Sequence, residues 1–432
     1  MVVKASKALL LIFLFYIGWY CEIYGDSFQI LYGTVIGATL LIFLNMIISS
    51  KGAINELFNK TIYVFVGFGV YALISGLVVC TVPSKLITSL KTYFAFVLVC
   101  ADIYYLSQEE DSLKWIWNGF IGLAFLCSIQ TIFRGVPFRN ADVYVKTMGP
   151  MNNPNFLARV LLYGVMALTL NGLSFMRKYM LLSITFLGII LYALFLTGSR
   201  KCVIAAVIIT VFWFLNYLSE ERQKKKKNPI MSLLKRGIIV LLFVMAIILI
   251  YQNVGSTSTY SRMEDLVKLI TEHGTNKRTR MYQEAFEFWK QHPLFGIGFK
   301  QFELLSSFGG YSHSTYAEVL SCTGIIGAGI LFIPSFSLFF QVIRTAFSTI
   351  AVSEVKYKYR MILTCVVAIA FIGIGDILIY GAPDMIMITI IIMYYKSPNN
   401  NEQEEFSVHG NSDSDNLQKK SRDGGSRYIK CY

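Results

Sequence analysis

Residues 179–227 read YMLLSITFLGIILYALFLTGSRKCVIAAVIITVFWFLNYLSEERQKKKK, and they decide the class of this chain. Two apolar runs, 179–196 and 201–218, each come close to the ~20 residues that a bilayer-crossing helix needs. Thr197-Gly198-Ser199-Arg200 closes the first run and opens the second. The second ends in EERQKKKK at 220–227, followed by Lys235 and Arg236. Such a cluster in a short loop belongs on the cytoplasmic side.

The same apolar signature recurs from end to end. Of 432 residues, 55% are hydrophobic and 15% charged, against about 25% charged in a water-soluble domain. The pattern predicts an all-α, polytopic integral membrane protein. About twelve transmembrane helices are expected, at 8–24, 28–48, 61–81, 86–106, 113–133, 156–174, 179–196, 201–218, 237–252, 314–343, 360–380 and 382–395. A large outer loop carrying short helices interrupts them. Lys4 and Lys7 precede the first run and no small-residue cleavage site follows it, so it reads as a retained helix. Cysteines at 21, 80, 100, 127, 202, 322, 365 and 431 show no C-x-x-C spacing, which argues against a zinc site or a disulfide framework. The net charge of +13 is a matter of loop topology and gives no reason to expect nucleic acid as a partner.

Counting helices outward from 220–227 puts Lys4, Lys7, the 51–60 loop, Arg177-Lys178, the 344–360 linker and the tail after Lys396 on the cytoplasmic side. Both termini are then cytoplasmic. The organisation is a first part of the membrane bundle (1–253), an extracytoplasmic loop (254–312), a second part of the bundle (313–395), and a polar tail (396–432) that reads as disordered. The outside receives 134–155, 197–200, 254–312 and the 381–384 turn. Arg134, Arg139, Arg159, Arg200, Arg262, Arg278 and Arg280 lie there or at span mouths, against the orientation rule. Guanidinium groups gathered on that face suit a phosphate or diphosphate, which they bind through bidentate charge-assisted hydrogen bonds.

Each candidate residue carries a structural and a functional reading. Gly198 fits a C-capping turn with Arg200 snorkelling to the interface, or else Arg200 grips a diphosphate. In MGPMNNPN at 148–155 the asparagines fit a helix N-cap, or Asn152 and Asn155 line a sugar cleft with Arg159 one turn further on. Residues 277–291 predict a helix with Met281, Ala285, Phe288 and Trp289 on one face and Arg278, Glu284 and Glu287 elsewhere. His292 fits a C-terminal cap. His313, flanked by Ser312, Ser314 and Tyr316, is either an interface residue or an imidazole able to move a proton. Glu318 and Asp376 fall inside expected spans, where a carboxylate is a functional candidate by default or a buried partner for an arginine.

Taken in order, Arg280, then PLFGIG at 293–298, HSTYAE at 313–318 and GIIG at 324–327 resemble the pattern of the bacterial O-antigen ligase/polymerase superfamily, which includes Wzy-type polymerases and WaaL-type ligases. The 152–155 loop and 197–200 resemble upstream motifs of the same superfamily. The chain departs from it at Ser314 and Cys322, where many members have Asn and an acid. Glu318 is left as the nearby carboxylate.

The resemblance implies glycosyl transfer on the outer face of a bacterial cell membrane, without a metal or other cofactor. It implies a donor glycan carried on undecaprenyl diphosphate. The expected activity is a Wzy-like polymerase that joins lipid-linked repeats, as donor and acceptor, into a cell-surface polysaccharide such as a capsule, exopolysaccharide or O-antigen. Arg200 and Arg280 match the arginines that hold the diphosphate, and His313 matches the family histidine. Arg159, Asn152, Asn155, Arg278, Tyr316, Glu318 and Asp376 are the further substrate-binding candidates. Membrane lipid, a chain-length regulator and a flippase are the expected partners. A ligase with another acceptor and a non-enzymatic lipid-linked oligosaccharide flippase or transporter are the competing readings. The second fits less well, because the charges gather at one face and not along a central path.

Overall fold

The computed structural model describes residues 44, 60–106, 110–134, 137–139, 145–147, 153–171, 179–223, 277–348 and 353–396. Eleven helices account for most of them. These are α1 Lys60–Val79, α2 Pro83–Leu106, α3 Glu110–Arg134, α4 Pro154–Leu170, α5 Met180–Leu196, α6 Arg200–Gln223, α7 Lys277–Gln291, α8 Phe302–Leu305, α9 Thr315–Ala346, α10 Ser353–Gly373 and α11 Ala382–Lys396. A short antiparallel ribbon, β1 Pro137–Arg139 with β2 Val145–Thr147, links α3 to α4 and sets Phe138 opposite Lys146. The apolar pattern gave no sign of it.

Nine of the expected spans coincide with described helices; 28–48 apart from Leu44, together with 8–24, 237–252 and the 220s lysine cluster, lies outside the described residues. Twelve spans are not established. Among the described residues, five helices are long and apolar enough to cross a membrane, at Lys60–Val79, Pro83–Tyr105, Leu113–Phe133, Arg200–Tyr217 and Thr315–Ala346. Pro154–Leu170, Met180–Leu196 and Pro383–Tyr395 are apolar but shorter.

Helix α4 is the centre of the bundle. It packs against α3, α5 and α6, and every residue except Asn155 and Arg159 is buried. A helix apolar on all sides has no solvent-facing stripe, which is why this one is enclosed. Asn153 caps it, its Oδ1 accepting from the main-chain N–H of Asn155 at 2.9 Å and of Phe156 at 3.3 Å. Between lipid-soluble helices burial itself gives little, so close packing and interhelical hydrogen bonds hold the bundle. Tyr93 Oη donates to the Phe65 carbonyl at 2.9 Å in this way.

Two expected spans are interrupted. α9 is not one continuous helix, because Gly324 takes φ 65°, ψ −170°. The left-handed region admits glycine without the Cβ clash that other L-residues meet. A break in a membrane helix must be repaired within the protein, and the 293–298 loop does it. The N–H groups of Ile297 and Gly298 donate to the carbonyls of Ser321 and Cys322, both at 2.9 Å. In return Ile325 and Ile326 donate to the carbonyls of Pro293 and Leu294, at 2.9 and 3.4 Å. Tyr71 Oη from α1 donates to the Thr323 carbonyl at 2.8 Å. The second correction concerns 360–380. α10 starts at Ser353 and stops at Gly373, so Asp376 stands on an irregular turn before the single 3-10 turn Leu378–Tyr380.

Candidate functional site

Helix α7 lies on α9 as its amphipathic pattern predicts. Met281 and Ala285 are buried, and Phe288 and Trp289 are half-buried. The buried face meets Ile297, Phe302 and Cys322. Tyr282 points the other way, its Oη donating to the Ile374 carbonyl at 3.0 Å and reaching the His313 carbonyl at 3.5 Å. α7 is thereby fastened to the α10–α11 turn and to the segment that enters α9.

At that junction α4, α6, α7 and α11 bring charge together. Arg159 Nη1 is 3.4 Å from Asp376 Oδ2, and its Nε is 3.0 Å from Asp384 Oδ1. Lys201 Nζ is 2.6 Å from Asp376 Oδ2 and also donates to the Gly375 carbonyl. Tyr163, one turn beyond Arg159, donates its hydroxyl to Asp384. Arg278 reaches the same place: Lys201 Nζ and Arg278 Nη1 stand 3.1 and 3.4 Å from where a Cβ on Gly375 would lie. Both aspartates are buried, and buried carboxylates persist only when paired. Three cations to two carboxylates leave the cluster positive.

His313 sits beside this cluster, half-buried, with its ring 4.5 Å from that of Tyr311. Its φ of 59° is left-handed. Burial lowers the imidazole pKa to about 4, with Arg278 the next cause, Asp376 opposing, and Lys201 and Lys277 adding to the depression. The ring is therefore neutral at pH 7. Its backbone is held from both sides. The N–H of Ser312 donates to Glu318 Oε2 at 2.8 Å, and Ser312 Oγ donates to the Ser314 carbonyl at 3.1 Å. Ser314 caps α9. Tyr380 Oη donates to Glu318 Oε1 at 3.2 Å. Glu318 is buried, and the placement fits a carboxylate that anchors the histidine loop.

The structure thus gathers Arg159, Arg278, His313, Glu318 and Asp376 from the residues singled out in the sequence. Asn155 is half-buried in the first turn of α4, and Asn152 lies outside the described residues. Tyr316 faces another way: its Oη donates to the Ala370 carbonyl at 2.9 Å and its ring lies 5.4 Å from Phe332. Arg200 is half-buried at the first position of α6, after a turn in which Gly198 adopts φ 69°. Arg280 is exposed on α7, and two residues' separation turns it away from the face that carries Arg278. Lys201, Asp384, Tyr163 and Tyr282 were not foreseen. The signal for Lys201 was its place beside Arg200, and for Asp384 a carboxylate in the first turn of an apolar helix.

Among the curated proteins none matches the chain. Residues 185–332, about a third of the chain, match the family model described as O-antigen ligase, and this segment holds Arg200, Lys201, Arg278, Arg280, His313 and Glu318. That segment, and not the whole chain, is what is similar to the O-antigen ligase/polymerase superfamily.

Proposed function

We propose that the chain is a polysaccharide polymerase, joining oligosaccharide repeats carried on undecaprenyl diphosphate at the outer face of a bacterial membrane. The observation that carries this reading is a neutral imidazole, His313, held beside a cluster with an excess of cations. The outward orientation rests on the lysine cluster at 224–227, which belongs inside. A flippase would supply the lipid-linked repeats, and a chain-length regulator would set the size of the product.

In the reaction, an acceptor hydroxyl oxygen forms a bond to the anomeric carbon of the donor. The bond from that carbon to the diphosphate oxygen breaks, and undecaprenyl diphosphate leaves with the electron pair. His313 takes the hydroxyl proton. Arg278 and Lys201 within the cluster, together with Arg200 and Arg280, which the family resemblance assigns to the diphosphate, stabilise the charge that grows on the leaving group. A bound diphosphate also offsets the cations that depress the imidazole, which makes His313 a stronger base once substrate is present.

Arg280→Ala and His313→Ala should each abolish polymer in cells while single lipid-linked repeats accumulate. Persistence of long polymer in both variants would overturn the assignment. The family description favours one second reading, a ligase that uses the same site with another acceptor. In cells lacking the protein, a lipid-linked ladder of chain lengths identifies the ligase and a single repeat identifies the polymerase.

A further inference from the structure

Among the described residues, two non-glycine residues have positive φ: His313 at 59° and Lys300 at 60°. They flank one hydrogen-bonded pair. Glu318 accepts from Ser312, next to His313, and from Tyr380 Oη. Over the Tyr380 ring, 5.1 Å from its centroid, stands Lys300 Nζ. The backbone at 300 is fixed by its neighbours. Phe299 is buried against Phe68, Tyr93 and Tyr380. Gln301 is buried too, with Oε1 accepting from Thr81 Oγ1 and Val82 N, both at 3.2 Å. Those anchors explain a left-handed residue at 300, which Gly or Asn would fill with less strain. They do not explain a lysine.

The ammonium has no carboxylate within ion-pair distance among the described residues. Glu303 is paired with Lys85 at 3.3 Å, and it and the buried Glu318 act on Lys300 only from beyond ion-pair distance. Lys300 is half-buried, and burial lowers its pKa. A strained, partly desolvated cation over an aromatic ring that is joined through Glu318 and Ser312 to the histidine loop points to a bound anion.

We propose that Lys300, seated on Tyr380, binds an anionic substituent of the acceptor sugar, a carboxylate or a phosphate ester, and so selects acidic repeats. This rests on the glycosyl-transfer reading above. The test uses the full chain in nanodiscs, with methyl β-glucuronide and methyl β-glucoside as probes in saturation-transfer NMR. The glucuronide signal should exceed the glucoside signal by about fivefold, the size of a partly exposed ion pair. Lys300→Gly keeps the left-handed backbone and relieves its strain, so it should retain the thermal midpoint and lose the preference. Equal signals for the two probes, or a preference that survives Lys300→Gly, would overturn the proposal. A preference present in phosphatidylcholine discs and abolished by phosphatidylglycerol would assign Lys300 to lipid headgroups instead, which also overturns it. If the preference fails while Arg280→Ala and His313→Ala still abolish polymer in cells, only this inference falls. If the preference stands while those variants make polymer, the glycosyl-transfer reading falls and takes with it the assignment of the bound anion to an acceptor sugar.

Discussion

The main-chain carbonyl of Asp376 accepts two hydrogen bonds from Thr315, one from its N–H at 2.9 Å and one from its Oγ1 at 2.7 Å. Asp376 therefore faces two ways. Its carboxylate belongs to the ion-paired cluster with Lys201 and Arg159, and its carbonyl holds the first turn of α9, two residues after His313. The charge cluster and the histidine share one short turn.

Thr315→Val tests that link. The Thr315 hydroxyl also accepts from the Leu378 N–H at 3.0 Å, so valine leaves a buried donor and a buried acceptor short of a partner. The expected loss of stability is about 1–3 kcal/mol. Displacement of the histidine loop should lower polymer formation about tenfold or more. Thermal unfolding of the purified protein and polymer yield in cells measure the two effects, and Thr315→Ser should restore both.

Asp376→Asn removes the carboxylate that Lys201 and Arg159 share. Breaking a buried pair on one side leaves uncompensated charge and is expected to cost about 3 kcal/mol. Adding Lys201→Met to Asp376→Asn should recover part of that loss, because the cation left stranded is then gone. A double-mutant cycle on the unfolding midpoint reads the coupling. Strict additivity of the two substitutions would show that the 2.6 Å contact contributes nothing.

Gly324 is the hinge on which the 293–298 loop is built. An L-residue at φ 65° carries a strain of about 1–2 kcal/mol, and a Cβ there would also run into the Leu294 main chain. Gly324→Ala should lower the yield of folded protein sharply. Tyr71→Phe removes only the hydroxyl that satisfies the Thr323 carbonyl and should cost about 1 kcal/mol. Size-exclusion profiles and thermal midpoints of the two variants should rank in that order.

The placement of helices was legible because an apolar run of span length has few alternatives in a chain of this composition. What the sequence concealed was rotation and breakage. Arg200 and Lys201 are adjacent, so their side chains leave α6 about 100° apart, and hydropathy cannot say which one faces Asp376. Chemistry favoured the arginine of that pair; the fold turned the lysine inward. The same limit applies on α7, where Arg278 and not Arg280 reaches Gly375. The break at Gly324 was concealed because its repair comes from the 293–298 loop, about 30 residues upstream, and glycine is common in unbroken membrane helices. The Tyr163–Asp384 contact joins residues 221 positions apart, a pairing that only the enclosed position of α4 brings about.

The pH dependence of the reaction isolates His313 from the residues around it. A general base must be unprotonated, so kcat/KM falls as pH drops through the imidazole pKa of the free protein. With that pKa depressed from the ordinary 6.5 to about 4, activity should hold its plateau down to pH 5 and fail only below it. Arg278 is the main charged cause of the depression. Replacing it with methionine removes a like charge from beside the imidazolium, which raises the pKa. The acid limb of Arg278→Met should therefore move to higher pH, toward the ordinary histidine value, whatever happens to the height of the plateau. Arg280→Lys, on the other face of α7, should leave the limb where it is. Polymer formation by washed membranes between pH 4 and 8, each variant normalised to its own maximum, gives the comparison. An acid limb unmoved in Arg278→Met would separate Arg278 from His313 and remove the electrostatic link on which the proton-transfer role depends.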